Sequence, residues 1–253
     1  MSGGAPSFWD TLPLGRDVKL ITTDPNGLAA FDKPAGALSH PNQTSDQAHA
    51  LLDARYALEG EFFEWKDAAG VLRRLWLLNR LDSATSGVIL AASSAELADA
   101  IRTQFRRKQV RKIYHALVFG APAKSVELWR DMLAVEKRGG KIRTAVLPGM
   151  MPSESRMSVV KVGRKEPKLT LINLEPKTGR SHQLRVQCAK RHFPIVGDQT
   201  YGDFGRNRAF AKQAGTKRLF LHSFETSFGY EWRQKEYKFS ARAALPAEFE
   251  TWL

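Results

Sequence analysis

Residues 79–87 read Asn-Arg-Leu-Asp-Ser-Ala-Thr-Ser-Gly and interrupt two apolar runs, residues 75–78 and 88–92. Each run is short, apolar and bounded by polar residues, which is typical of a buried strand. The insert places one guanidinium and one carboxylate, those of Arg80 and Asp82, close together on the predicted turn. An Arg-x-Asp pair in a turn is more often a structural salt bridge or a turn cap than a reactive pair. Taken alone, the segment therefore predicts a strand–turn–strand unit with two charged side chains at its turn.

Predicted strands dominate the rest of the chain, with a small number of helices between them. The strands fall at residues 18–23, 28–32, 112–119, 155–162, 169–174, 218–224 and 236–240. The helices fall at residues 46–58, from the capping-box sequence at 93–96 to the cations at 106–108, at 181–190, and from Pro246 onward. The basic stretch between Gly205 and Gly215 is interpreted as a surface loop. Strand runs with few helices predict an α+β fold, with a largely antiparallel mixed sheet and flanking helices and loops.

Length and composition set the domain organisation that we expect. The chain has 253 residues, of which 43% are hydrophobic, enough for a buried core. Residues 1–15 are rich in Gly and Pro and predict a flexible tail. Because no linker stands out after them, we expect a single domain over residues 16–253.

Charge is the strongest compositional signal. The chain carries 39 Lys and Arg against 26 Asp and Glu, a net charge of +13, and all but four of the cations lie after residue 60. Two stretches, residues 101–116 and 177–191, contain cations and no acidic residue at all. Such clustering predicts a polyanionic partner, either nucleic acid or an anionic membrane surface, although a merely solvated basic surface fits as well.

Several other classes of site lack their usual signals. Cys188 is the only cysteine, so no internal disulfide can form and a reducing compartment is expected. His182 and His192 have no Cys or acidic partner at ligand spacing, which argues against a metal site. No phosphate-binding glycine loop and no strand followed by Gly-x-Gly-x-x-Gly is present. No apolar run approaches the roughly 20 residues of a membrane span, and no signal peptide is evident. We expect a soluble cytoplasmic protein without metal or cofactor.

Six segments of the chain, in order, resemble the RluA-type family of RNA pseudouridine synthases. Residues 79–87 match the family's His-Arg-Leu-Asp-x-x-Thr-Ser-Gly except at Asn79, and residues 32–36 (Asp-Lys-Pro-Ala-Gly) are similar to its Asn-Lys-Pro-x-Gly. The other matching segments are residues 112–118, 179–185, 194–202 and 218–222. The resemblance implies the pseudouridine synthase catalytic fold, with a cleft across the sheet, and an isomerase that converts specific uridines of rRNA or tRNA to pseudouridine.

The resemblance also assigns roles to individual residues. Asp82 becomes the catalytic carboxylate, which attacks C1′, adds to C6 or assists loss of the C2′ proton; the sequence leaves these three routes open. Arg185 becomes the cation that keeps Asp82 ionised, and Tyr114 packs against the target base. Arg80 occupies the space that the base vacates when it leaves its stack. These assignments agree with the missing metal and nucleotide signals, because the isomerisation needs no oxidant and no energy carrier.

The remaining predicted RNA contacts come from the two basic stretches. They are Arg106, Arg107, Lys108, Arg111, Lys112, Arg180, His182 and Gln183. Too few residues precede the first predicted strand to hold the S4-type RNA-binding domain of some relatives, so the catalytic domain is expected to bind RNA largely by itself, as a monomer. Two other functions fit less well: a non-catalytic RNA-binding or ribosome-assembly protein on the same scaffold, and a glycosidase-like hydrolase, which normally needs a second carboxylate.

Overall fold

The computed structural model describes residues 7–138, 141–146 and 151–253. These residues form two compact units. Unit 1 contains residues 7–107 together with Gly229–Ala241, and unit 2 contains the described residues of Lys108–Phe228 together with Arg242–Leu253. The expected single domain over residues 16–253 stays a prediction.

Unit 1 is an antiparallel sheet with one long helix. Its elements before residue 108 are β1 (Lys19–Thr23), β2 (Leu28–Lys33), β3 (Arg55–Ala57), β4 (Phe62–Lys66), β5 (Leu72–Leu77), β6 (Ser86–Ala92) and α1 (Ala95–Arg106). The strands pair in the order β1-β2-β6-β5-β4-β3, with every neighbouring pair antiparallel. All seven residues of β6 are buried, as expected of a continuous apolar run. The turn at residues 79–85 therefore leads directly into a strand that is buried along its whole length.

Helix α1 begins and packs as its sequence predicts. The Ser94 hydroxyl accepts a hydrogen bond from the Leu97 amide, which satisfies one of the unpaired donors of the first turn. Leu97 and Ile101 are fully buried and lie on one face of the helix. Arg106 stands in the last turn, where the helix dipole favours a cation.

Unit 2 contains a second set of antiparallel strands. Its elements are β7 (Arg111–Phe119), β8 (Val126–Arg138), β9 (Lys141–Val146), β10 (Met151–Val162), β11 (Leu169–Pro176), α2 (Gln183–Lys190), α3 (Phe204–Ala214) and α4 (Ala247–Glu250). Strands β12 (Leu221–Trp232) and β13 (Lys235–Arg242) each contribute residues to both units. The unit 2 strands pair in the order β12-β7-β11-β10-β8-β9, and each neighbouring pair is antiparallel.

Aromatic residues fill a core in unit 2. Phe119, Phe220 and Phe249 are at most 1% exposed and pack in one cluster with Phe210 of α3. The Phe210 and Phe220 rings meet edge-on at 5.5 Å, a geometry that aromatic pairs favour. The cluster fixes α3 against β7 and thereby holds the loop of residues 194–202, which carries a site residue described below.

The α+β fold with largely antiparallel pairing is confirmed. The helix predicted at residues 46–58 is wrong: a 3-10 helix spans Thr44–His49, and β3 follows at Arg55–Ala57. Between them, the His49 carbonyl accepts from the Leu38 amide and the Leu51 carbonyl from the Gly15 amide. These tertiary backbone bonds replace the helical ladder.

Two further differences concern segments interpreted as irregular. The predicted loop between Gly205 and Gly215 is wrong, because helix α3 begins at an Asp203 cap that accepts from the Arg206 amide and ends at Gly215 with a φ of 68°. Within the predicted tail, Phe8–Thr11 form a 3-10 turn whose Thr11 carbonyl accepts from the Trp65 indole at 2.9 Å; Met1–Pro6 lie outside the described residues. Helices α1 to α4 are all shorter and more polar than a bilayer-spanning segment, within the described part of the chain.

Candidate active site

The turn that carries Asp82 is held by side chains from the rest of unit 1. Asp82 is half-buried, and its carbonyl accepts from the Thr85 amide at 3.0 Å. The buried Ser39 hydroxyl both donates to the Leu81 carbonyl and accepts from the Leu81 amide, at 2.8 and 2.9 Å. Asn79 accepts the amide of Leu90 through its side-chain oxygen at 2.8 Å. The residue before Asp82 is therefore pinned, while part of the Asp82 surface stays exposed.

Lys33 forms a second clamp on this turn. Its side chain is fully buried, and the ammonium donates to the carbonyls of Pro34, Ala37 and Ser83 at 3.0, 2.6 and 3.0 Å. A buried ammonium is costly unless its donors are satisfied. Since Ser83 directly follows Asp82, the lysine ties the backbone of the Asp82 turn to the loop after β2. The sequence reasoning assigned Lys33 no role, although the similarity at residues 32–36 pointed to this position.

Arg80 extends from the turn as an exposed side chain. Its Nη1 lies 3.5 Å from Nε2 of His40. The His40 ring stacks on Tyr56 with centroids 4.7 Å apart and an interplanar angle of 8°. Burial, and to a smaller extent the charge of Glu61, raises the pKa of Tyr56 to about 12. The stacked pair formed by His40 and Tyr56 therefore adjoins the arginine that the resemblance places in the vacated base position.

Arg185 lies in α2 and is bound to a carboxylate that the sequence reasoning did not single out. Its Nε and Nη2 donate to the two carboxylate oxygens of Asp198, each at 2.8 Å. Both residues are buried, at 7% and 1% exposure. Asp198 also accepts the amides of Thr200 and Tyr201, at 2.9 and 3.0 Å. Burial alone would raise the pKa of Asp198, but the hydrogen bonds and charge of Arg185 outweigh it and hold the pKa below its usual value.

His182 and Tyr201 extend this arrangement beside Arg185. The His182 Nδ1 and the Tyr201 hydroxyl lie 2.8 Å apart, and that hydroxyl accepts the amide of Thr144 at 2.8 Å. The Arg185 guanidinium lies over the Tyr201 ring, 5.2 Å from its centroid. His182 has a φ of 54°, in the left-handed region. Its ring is therefore positioned by a strained backbone and a tyrosine together.

Gln183, a predicted RNA contact, is buried and bonded within unit 2. Its side-chain oxygen accepts from the Thr178 hydroxyl and the Arg180 amide, and its side-chain nitrogen donates to Ser155 and to the Glu154 carbonyl. The Arg180 Nε is buried without a hydrogen-bond partner. Gln183 thus holds the loop before α2 in shape, and its contact with RNA stays a prediction.

Tyr114 lies in the middle of β7, half-buried, opposite Leu174 of β11 and Ser223 of β12. Its place within β7 confirms the strand predicted at residues 112–119. Its role against a base stays a prediction.

The basic residues before β7 differ in how much charge they present. Arg106, Arg107 and Lys108 are exposed at the end of α1 and just beyond it. Arg111 is exposed but lies within 3.6 Å of Glu175 and 3.4 Å of Glu225. Burial lowers the pKa of Lys112. The first three therefore present the least compensated charge of this stretch.

The structure gathers some predicted residues and separates others between units. Arg185, His182 and Gln183 come together around α2 with Asp198 and Tyr201, whereas Asp82 and Arg80 belong to unit 1. The pairing of Asp82 with Arg185 stays a prediction. Among residues 7–138, 141–146 and 151–253, no group of three or more His, Cys, Asp or Glu side chains is arranged to hold a metal ion.

Comparison with known proteins gives the family. Residues 27–190 match the model of the RNA pseudouridylate synthase family. The chain is 34% identical over 209 residues to the ribosomal large subunit pseudouridine synthase C of Vibrio vulnificus, covering 83% of this chain but 61% of that protein. It is 32% identical over 204 residues to the tRNA pseudouridine synthase C of Yersinia pestis, covering 78% and 75%.

A solved structure, human RNA pseudouridylate synthase domain containing 1, shares the fold with a TM-score of 0.65 at 20% identity over 90% of this chain and 84% of that chain. The family match spans the Asp82 turn, β7 and α2, which hold the candidate residues Asp82, Tyr114 and Arg185. The chain belongs to the family of RNA pseudouridylate synthases.

Proposed function

We propose that this protein isomerises specific uridines of structured RNA, in rRNA or tRNA, to pseudouridine. The observation that carries the proposal is the family match over residues 27–190, which includes the half-exposed Asp82 on its pinned turn. The named relatives act on ribosomal and on transfer RNA, so both classes are candidates.

The reaction breaks the N1–C1′ bond of a uridine, turns the uracil and joins C5 to C1′. The proton lost from C5 is balanced by one gained at N1, so no oxidant or reductant is consumed. We assign Asp82 as the carboxylate that acts on the nucleoside, by attack at C1′, addition at C6 or assistance to C2′ proton loss. Each route needs an ionised carboxylate in a place that a flipped nucleoside can reach. The partial exposure of Asp82 supports this assignment.

Three other residues complete the proposal. Arg185 is assigned as the cationic partner of Asp82, and its rigid attachment to Asp198 supports a positioning role. Tyr114 is assigned to stack on the uracil, which is worth about 1–3 kcal/mol per base. Arg80, exposed and backed by His40, is assigned to the space left by the flipped base.

RNA binding is assigned mainly to phosphate contacts from exposed cations. Arg106, Arg107 and Lys108 carry the exposed charge at the end of α1. Such contacts are blind to sequence and weaken with salt. We further propose that the protein acts as a monomer in the cytoplasm. We also propose that it needs no cofactor, because the isomerisation is redox-neutral.

The test is isomerisation of RNA from a strain that lacks this gene. Purified protein is incubated separately with the tRNA and rRNA fractions, and pseudouridine is mapped chemically against untreated RNA. The expected result is new pseudouridine at one or a few uridines of one fraction. RNA binding without new pseudouridine in either fraction would overturn the proposal and favour a non-catalytic RNA-binding protein.

A further inference from the structure

Unit 2 contains a cavity of about 920 Å³, and Asp82, Tyr114 and Arg185 are not among the residues that line it. It is bounded by β8 and β10 where Arg130, Asp131 and Met132 pair with Glu154, Ser153 and Pro152. Lys177, just past β11, Lys190, at the end of α2, and Lys108 complete its wall. The volume lies within the range that accommodates a ligand the size of a nucleotide.

The charge around this cavity is positive, because its acids are already matched. The side chain of Asp131 is fully buried and accepts hydrogen bonds from Lys190 at 2.6 Å and from Arg191 at 2.9 Å. Two cations therefore share one carboxylate, which leaves one positive charge uncompensated. Glu154 pairs with Arg130 at 3.0 Å. Lys177 pairs with Glu175, outside the lining, but Glu175 is shared with Arg111 at 3.6 Å, so these two cations exceed their common acid by one charge. Lys108 adds a further exposed charge.

A buried hydroxyl on the wall lacks a partner. Ser153 is 2% exposed, and its Oγ makes no hydrogen bond. A hydroxyl both donates and accepts, so it matches the mixed donors and acceptors of a base edge or a ribose. Met132 and Pro152 supply apolar surface beside it. The apolar wall suits a base, the unsatisfied hydroxyl suits a base edge or a sugar, and the surplus cations suit a phosphate.

We propose that this cavity binds an unpaired nucleotide of the RNA substrate, distinct from the uridine that is isomerised. The inference rests on the proposed function, since it takes RNA as the ligand. Lys108 and Lys177 contact the flanking phosphates, and the base or ribose lies against the wall that contains Ser153. Unpaired nucleotides are the usual targets of selective RNA recognition, because their bases can be splayed out and enclosed. The cavity thus selects RNA that presents an unpaired nucleotide in addition to the target uridine.

The test compares a fluorescein-labelled pentauridylate with a blunt RNA duplex of twelve base pairs, by anisotropy. The Lys108→Gln/Lys177→Gln variant is expected to weaken pentauridylate binding about five- to tenfold, with a salt slope shallower by about 1.4 if each lysine meets one phosphate. The control Lys161→Gln/Lys238→Gln removes the same charge from exposed lysines outside the lining. It is expected to change pentauridylate binding less than twofold.

A second variant tests the cavity without changing charge. Ser153→Leu projects a larger side chain from the wall and is expected to weaken pentauridylate binding with an unchanged salt slope. Ser153→Leu should leave duplex binding at the level of the control. The lysine variant also removes the exposed Lys108 charge, so it should weaken duplex binding, but less than it weakens pentauridylate binding. Equal losses for the two lysine pairs, or equal losses for pentauridylate and duplex, would overturn the inference. If Ser153→Leu fails to fold, the lysine variant decides, because its side chains are at the surface.

These outcomes are separable from those of the proposed function. If the wild-type protein forms pseudouridine while the cavity variants bind pentauridylate like the control, only the nucleotide site fails. If the lysine pattern holds but no pseudouridine forms, the site stands and the isomerase assignment fails.

Discussion

Asp82 in unit 1 and Asp198 in unit 2 are aspartates in loops beside buried strands, but their surroundings differ. Asp198 is 1% exposed and accepts four hydrogen bonds, two from Arg185 and two from backbone amides. Asp82 is half-buried on a turn whose neighbours Leu81 and Ser83 carry the restraints. A buried carboxylate that accepts several hydrogen bonds within the protein stabilises the fold. A carboxylate on a restrained turn that stays partly exposed can contact a ligand.

The largest stability effect is expected from breaking the buried pair. Arg185→Ala leaves Asp198 buried without its cation, and we expect a loss of about 3–5 kcal/mol in the free energy of unfolding. Urea unfolding measures it. Arg80→Ala, at an exposed arginine, is the control and should change stability by less than about 0.5 kcal/mol. A loss under about 1 kcal/mol for Arg185→Ala would show that the pair contributes little to the fold.

Activity loss in Arg185→Ala therefore does not by itself identify a partner of Asp82. The conservative Arg185→Lys retains charge but loses the bidentate geometry. It should retain more stability than Arg185→Ala, and a loss of activity that persists in the folded Arg185→Lys variant would support a role of this side chain beyond stability.

A smaller loss is expected at the clamp on the Asp82 turn. Lys33→Met removes the donor to three carbonyls, each costing about 1–3 kcal/mol if left unsatisfied, while the removed buried charge returns part of that cost. We expect about 2–4 kcal/mol of destabilisation and a fall in kcat with little change in KM. Lys19→Met, at an exposed residue of β1, is the control. Unchanged kcat in a folded Lys33→Met variant would separate the clamp from the chemistry.

Acid should weaken the stabilising contribution of Asp198 in unit 2. The folded-state pKa of Asp198 is lowered, so its stabilising contribution is complete above the unfolded pKa of about 3.9 and is lost as the pH falls below it. The stability gap between wild type and Asp198→Asn should be constant from pH 5 to 8 and narrow below about pH 4, by at most about 1.4 kcal/mol per pH unit. A gap that widens with acid would reverse the sign of this shift.

The smallest effect is expected at Asn79, where the family has histidine. Asn79→Ala leaves the buried Leu90 amide without its acceptor, and we expect about 1–2 kcal/mol of destabilisation. Activity should stay within a few-fold, because the Asn79 side chain is engaged by the Leu90 amide and we expect its role to be structural. Asn79→His should lose less stability than Asn79→Ala. A hundredfold loss of activity in Asn79→Ala would assign this residue a larger role.

Much of the fold was predictable where one residue type dominates an element. The buried run of β6 and the capped, one-sided α1 follow directly from their sequences. Strand β8 was missed because its buried face includes Asp131 between Trp129 and Leu133. The polar residue interrupts the apolar alternation, and it is tolerated only because Lys190 and Arg191 neutralise it from a distant helix.

The candidate site divides in the same way. Asp82 and Arg80 stand out locally, as polar residues between apolar runs. Arg185 and Asp198 are 13 positions apart in the sequence and meet only in the folded chain. No local sequence pattern therefore predicts their ion pair. Lys33 lies in the segment at residues 32–36 that resembles the family, but nothing in that segment indicates that the lysine is fully buried.

The most direct test of the central claim is isomerisation by Asp82→Asn, measured on the RNA fraction that the wild-type protein modifies. The variant keeps the size of the side chain and removes its charge. We expect at least about a thousandfold loss of pseudouridine formation, equivalent to about 4 kcal/mol in the barrier. RNA affinity should stay within a few-fold and unfolding free energy within about 1 kcal/mol. Pseudouridine formation by Asp82→Asn at the wild-type rate would contradict the assignment of Asp82 as the reacting carboxylate.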